Sequence, residues 1–181
     1  VQPSLRPGPG HEVTGHSPRS ITRRGVGRSF QLPQVFTEHT VRECLMLAAS
    51  SVKQRHGFWL PLAEAIDADE VDATLELLQL APRANDLAGA LPEGQRKLLD
   101  VAMALVLRPK LMIMDEPTSG VSSDEKHGLM TVVMRALDER RVTSIFVEHD
   151  IDIVRRYATR LCAWIAGKIA ADGAPEEVLR D

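Results

Sequence analysis

Leu111-Met112-Ile113-Met114-Asp115-Glu116-Pro117 decides how the rest of the chain reads. Four apolar residues in unbroken succession predict a strand buried on both faces, as in a parallel sheet. The run ends in two adjacent carboxylates and a proline. Ligands of parallel α/β sheets sit beyond the carboxyl ends of the strands. One carboxylate there can hold magnesium, which prefers oxygen ligands. The second can orient a water and take its proton. Alone, the stretch reads equally well as a strand followed by an acidic turn.

Working outward, the second half alternates. A helix is predicted from about Asp124 to Glu139, a β-branched strand over Thr143 to Val147 and a helix over Asp150 to Tyr157. Two strands, Arg160 to Ala166 and Ile169 to Asp172, flank a Gly167-Lys168 turn, and Pro175 to Leu179 closes as a helix. Strand and helix in alternation predict an α/β fold with a parallel sheet. The first half is mostly helical. Thr40-Val41-Arg42-Glu43 is a capping-box pattern, with Val41, Cys44, Leu45 and Ala48 at helical spacing behind it. Lys53 to Pro61 reads as a break, and Ala68 to Leu80 as a second helix closed by Pro82. Pro92 opens a third helix through Val101, Ala102 and Leu105. Residues 1–20 are broken by prolines and glycines, with room for at most a short strand around Glu12 to Thr14.

Leu91-Pro92-Glu93-Gly94-Gln95 stands at this third helix's start, with Gln95 twenty residues before Asp115. Unpaired N–H groups at a helix start suit phosphate. Here the chain resembles the ABC transporter ATP-binding subunits: the stretch looks like their Leu-Ser-Gly-Gly-Gln signature element, and the spacing through Arg108-Pro109 to Asp115-Glu116 matches. Arg28-Ser29-Phe30-Gln31 with Phe36 resembles the Q-loop, and Ser119-Gly120-Val121-Ser122 the D-loop that crosses a dimer interface. Phe146-Val147-Glu148-His149-Asp150 looks like the switch-histidine motif, its His149 lying 33 residues after Glu116. The ending from Tyr157 through Gly167 to Leu179 also resembles such cassettes. The likeness spans about Gly10 to Asp181. It is strongest to the branched-chain amino acid importer type, through Gly25-Val26-Gly27-Arg28-Ser29-Phe30-Gln31, the proline-containing signature and Gly120-Val121-Ser122.

The resemblance implies a P-loop NTPase-like ABC cassette, a partial parallel sheet plus an α-helical subdomain. Residues 1–32 would be a remnant of the N-terminal β region ending in the Q-loop, 33–108 the helical subdomain with the signature helix, and 109–181 the C-terminal half of the RecA-like core. It implies an ATPase driving amino acid uptake, with ATP and Mg2+ as cofactors. Glu116 would be the general base and His149 would sense the γ-phosphate. Asp115 and Gln31 would hold magnesium. Pro92, Glu93, Gly94 and Gln95, with Ser119 and Gly120, would serve a nucleotide across the dimer. Transmembrane permease subunits and a second ATP-binding subunit would be the partners, and the cytoplasmic face of the membrane the location.

Some residues depart from the pattern. No Gly-x-x-x-x-Gly-Lys-Ser/Thr phosphate loop occurs. Residues 1–10 lie where the helix after that loop should finish, so the loop is expected to precede Val1 in a truncated chain. Activity of the chain alone is therefore in question, as is an intact fold, and exposed sheet edges would favour self-association. Pro92 replaces a serine hydroxyl. Glu93 replaces a glycine and faces either the phosphate, where it would repel, or the membrane subunit. Ser122 replaces the common aspartate. A non-catalytic interaction module and a DNA-repair ABC ATPase are the alternatives; the second needs long coiled coils, and no heptad run exists here.

Bulk properties agree with a globular domain. The 181 residues are 44% hydrophobic and 26% charged, with net charge −3, so no global positive field argues for nucleic acid. Residues 1–35 carry Arg6, Arg19, Arg23, Arg24 and Arg28 against Glu12 alone. No apolar run approaches the roughly 20 residues of a membrane span. Cys44 and Cys162, both in apolar surroundings, are expected to be buried, reduced thiols.

Overall fold

The computed structural model describes residues 13–53 and 67–180. Its centre is a three-stranded parallel sheet in the order β1 (Val26–Ser29), β2 (Leu111–Asp115), β3 (Thr143–Val147). Register pairs Gly27 with Met112 and Arg28 with Ile113 on one side, and Met112 with Ser144 and Ile113 with Ile145 on the other. A parallel pair needs a crossover. Between β1 and β2 it includes helices α2 (Val41–Lys53), α3 (Ala68–Leu77) and α4 (Glu93–Leu105); between β2 and β3 it is α5 (Ser123–Glu139).

Alternation sorts the side chains of the sheet. Gly27, Ser29, Met112 and Met114 face the core, where Leu99, Val101, Met130 and Val133 join them. Gly27 is required by this packing: an added Cβ would stand 3.0 Å from the Met112 sulfur and 3.2 Å from Pro109. The opposite face corrects the expectation of a strand buried on both sides. Leu111 and Ile113 are half-buried, and Ile145 and Val147 are exposed. Among the described residues, one face of the sheet carries the core.

The helical part is anchored to the sheet part by a buried carboxylate. Glu70 of α3 accepts from Arg108 at 2.6 Å and pairs with Arg140 at 2.7 Å, joining α3, the turn before β2 and the end of α5. The capping box forms as expected: Thr40 N–H donates to Glu43 at 2.8 Å, and Glu43 N–H to Thr40 Oγ1 at 3.2 Å.

Beyond β3, α6 (Ile151–Tyr157) starts on Asp150, whose carboxylate caps it. The antiparallel hairpin β4 (Leu161–Ile165) and β5 (Lys168–Gly173) turns through Ala166 and Gly167, both at positive φ, one residue earlier than expected. A short helix, α7 (Pro175–Val178), ends the described chain.

Several expectations are corrected. Val13 and Thr14 form no strand; a helix, α1 (Pro18–Arg23), follows instead, with Ser17 Oγ accepting from Ser20 N–H at 3.3 Å. Pro18 sits in the first turn, where a proline starts a helix rather than breaking one. Pro92 is the cap before α4, so Glu93 is its first helical residue. Helix α3 ends at Leu77, before the predicted Leu80, which is nonetheless buried. Cys44 is buried, but Cys162 is exposed, because among the described residues β4 pairs with β5 alone and its Cys162 side chain is left uncovered. Residues 1–12, and the break predicted beyond Lys53, lie outside the described residues.

Candidate active site

Glu116 follows directly on β2 and adopts φ 44°, a left-handed backbone that costs a non-glycine residue about 1 kcal/mol or more. Its surroundings hold it there. Its N–H donates to Val147 O at 2.9 Å. Its carbonyl accepts from Ser119 N–H at 3.1 Å and from Lys97 Nζ at 3.3 Å. The bend turns the carboxylate toward two residues from distant parts of the chain. Gln31 Nε2 donates to Glu116 Oε2 at 2.8 Å, and His149 Nδ1 lies 3.8 Å from Oε1. The glutamine, glutamate and histidine singled out in the sequence thus meet at one carboxylate.

The imidazole is 73% exposed and the carboxylate 30% exposed, so both reach solvent above the carboxyl ends of the strands. Asp115 lies on the exposed sheet face in register with Val147. Its contact is Arg28 at 3.5 Å, between two exposed side chains, which is a weak hold. A carboxylate so lightly held suits an incoming cation. Gln31 bonds to Glu116, not to Asp115, in this arrangement.

Sequence reasoning passed over the residues that fix this geometry. Lys97 and Asp100 lie one turn apart on α4, and both are buried. Lys97 Nζ donates to Gln31 O at 2.9 Å as well as to Glu116 O. Asp100 accepts from Phe30 N–H at 2.9 Å and Gln34 N–H at 3.0 Å. One helix therefore clamps the backbone on both sides of Gln31 and the backbone of Glu116. Burial pulls the Lys97 ammonium below its ordinary pKa, against the carboxylates of Glu93, Asp100, Glu148 and Glu116. Burial pushes the Asp100 carboxyl up, against its bonds from Phe30 and Gln34. The available signal was two opposite charges at i, i+3 among Leu99, Val101 and Ala102 on the buried face of a helix.

The segment Pro92 to Gln95 lies apart from this cluster, at the start of α4. Glu93 is engaged by Arg96 at 2.6 Å, which offsets its charge within the same turn. Gly120, at φ 75°, brings the Ser119-Gly120 turn beside Glu93: a Cβ there would meet the Glu93 side chain at 3.7 Å. Pro92, Glu93, Gly94, Gln95 and Gly120 line an open cavity of about 630 Å³ that continues along α5. Gln95 Oε1 is buried at its edge without a hydrogen-bond partner among the described residues. The residues expected to serve a nucleotide therefore form two groups: Gln31, Asp115, Glu116 and His149 at the sheet, and Pro92 to Gln95 with Gly120 at the helix start.

The chain is similar to known proteins over most of its length. The family model described as ABC transporter matches residues 7–119. The probable branched-chain amino acid transport ATP-binding protein LivG of Archaeoglobus fulgidus is 34% identical over 95% of this chain and 68% of its own length. The high-affinity branched-chain amino acid transport ATP-binding protein BraF of Pseudomonas aeruginosa is 29% identical over 93% of this chain and 69% of its own. Among solved structures, cbiO1 from Clostridium perfringens, part of the ABC transporter complex cbiONQ, superposes with TM-score 0.77 at 28% identity. That match covers 91% of this chain and 64% of cbiO1, so the chain spans about two thirds of the proteins it matches.

Proposed function

This chain belongs to the ABC transporter family, and we propose that it is the ATP-binding subunit of an importer of branched-chain amino acids. The observation that carries the reading is the meeting of Gln31 and His149 on the carboxylate of Glu116, at the carboxyl end of a parallel strand. In the proposal ATP supplies the phosphoanhydride bond that is hydrolysed. Asp115, lightly held and exposed, would take Mg2+ with help from Gln31. Glu116 would orient a water and accept its proton, and His149 would hold that carboxylate and contact the terminal phosphate. The residues present fit the metal and terminal-phosphate end of a nucleotide.

The same reading assigns Pro92, Glu93, Gly94 and Gln95, with Ser119 and Gly120, to a nucleotide held by a second subunit. The separation of this group from Glu116 supports that assignment, and the unpartnered Gln95 oxygen is an acceptor that a hydroxyl of the nucleotide's sugar would satisfy. It divides the chain as 1–32, 33–108 and 109–181. Exposed Phe30 and Leu32 flank Gln31 in the chain, and Phe36 and Leu87 are exposed as well, apolar side chains suited to a permease subunit. Among the described residues no helix is long and apolar enough to cross a membrane, and a membrane location would come through that partner.

The test is Mg-ATP turnover by the whole protein, with and without Glu116→Gln. The expected result is turnover reduced about 100-fold or more with nucleotide binding retained. Unchanged turnover would exclude Glu116 as the base.

A further inference from the structure

His149 is flanked by two anchors, and both reach the segment that follows Glu116. On one side, Glu148 Oε1 accepts from Thr118 Oγ1 at 2.6 Å and from Thr118 N–H at 3.0 Å. Its second oxygen accepts from His149 N–H at 3.3 Å. Thr118 is fully buried, so its hydroxyl and amide have little water to fall back on. On the other side, Asp150 pairs with Lys126, in the first turns of α5, at 2.9 Å, and both side chains are half-buried. Asp150 also caps α6. The imidazole between them has no such tether; it stands exposed, 3.8 Å from Glu116. Residues 148–150 and 118–126 are thus joined at two points on either side of one free ring.

We infer that Glu148 is a positioning residue, whose single carboxylate makes the Thr118–Gly120 turn and His149 move as one body. The inference deepens the reading above, in which that turn faces a second subunit and His149 faces the phosphate. A displacement of the turn by the partner would then reach His149 through one side chain. Glu148 touches neither nucleotide nor water in this scheme. It acts through His149, and the Lys126–Asp150 pair keeps the far side of the ring fixed.

The test needs no nucleotide, so its outcome is separable from the failure of the ATPase reading. Backbone amide exchange and the His149 ring signals are followed by NMR in the whole chain and in Glu148→Ala, Glu148→Gln and Thr118→Val. Glu148→Ala is expected to speed exchange at Thr118 and His149 together, by about tenfold or more. It should also shift the His149 ring signals. Glu148→Gln keeps an oxygen acceptor for Thr118 and is expected to restore most of both effects. Thr118→Val removes only the hydroxyl donor and is expected to shift the ring signals without touching His149. If Glu148→Ala does not fold, Glu148→Gln and Thr118→Val decide the matter. Faster exchange at Thr118 with an unmoved His149 ring would overturn the inference. So would a Thr118→Val variant whose ring signals match the wild type.

Discussion

Asp100→Ala is expected to be among the most damaging single changes outside the apolar core. The carboxylate is buried and makes two charge-assisted bonds, to Phe30 N–H at 2.9 Å and Gln34 N–H at 3.0 Å. Bonds to a charged acceptor contribute about 1.5–3 kcal/mol each. Truncation leaves both amides without their acceptor and removes a nearby counter-charge from buried Lys97. Relief from burying the carboxylate itself, the burial that raises its pKa, returns part of this. A net loss of about 3 kcal/mol follows, against a total of roughly 5–15 kcal/mol for a domain. With a urea m-value near about 2 kcal/mol per molar, the unfolding midpoint should fall by about 1.5 M. The loss should be local as well, with amide exchange rising at Phe30 and Gln34. Asp100→Asn keeps one acceptor and should lose about half as much. A fall below about 0.5 M for Asp100→Ala would refute the claim that this side chain clamps the Gln31 segment.

Because burial raises the Asp100 pKa, the folded chain holds that proton more tightly than the unfolded chain. This group therefore adds stability as pH falls, and loses it again as pH rises through the raised value. Asp150 and Asp172, lowered by their partners Lys126 and Arg160, act in the opposite sense, but they are unchanged in an Asp100 variant. The urea-midpoint deficit of Asp100→Asn against wild type should widen between about pH 7 and pH 4; a constant deficit would contradict this. Thiol titration with a disulfide reagent should modify exposed Cys162 in the native state and Cys44 only on unfolding, since burial also raises the Cys44 thiol pKa. Equal rates would place Cys44 in solvent. Gly27→Ala should cost about 1–3 kcal/mol in a urea melt, because its methyl would press on Met112 and Pro109; a neutral result would mean that β1 is looser than described.

Much of the fold was legible because its elements carry strong local marks. The strand Leu111–Asp115, the capping box at Thr40 and the long helix ending at Glu139 lie where apolar spacing and caps put them. The spacing from Gln95 to Glu116 and on to His149 identified the family, which the relatives show independently. What failed depended on tertiary context. An apolar run cannot say how many faces of a sheet are covered, so β2 looked fully buried although its Ile113 face is only half so. Cys162 looked buried because its neighbours in sequence are apolar, yet the hairpin leaves it exposed. Pro18 was read as a breaker because proline both ends and begins helices, and only the Ser17 cap decides between them. Lys97 and Asp100 were invisible as site residues because their partners are backbone atoms about 20 to 70 positions away, and backbone bonding leaves no residue type to read.

The central claim is that Asp115, Glu116, Gln31 and His149 form the metal and terminal-phosphate end of an ATP site. The most direct measurement is calorimetric titration of Mg-ATP into the whole protein, beside the same protein carrying Asp115→Ala. The account predicts saturable Mg-ATP binding by the first, weakened about tenfold or more in the second and insensitive to the substitution when magnesium is left out. No saturable heat from the unsubstituted protein, or equal Mg-ATP affinity in both, would contradict it.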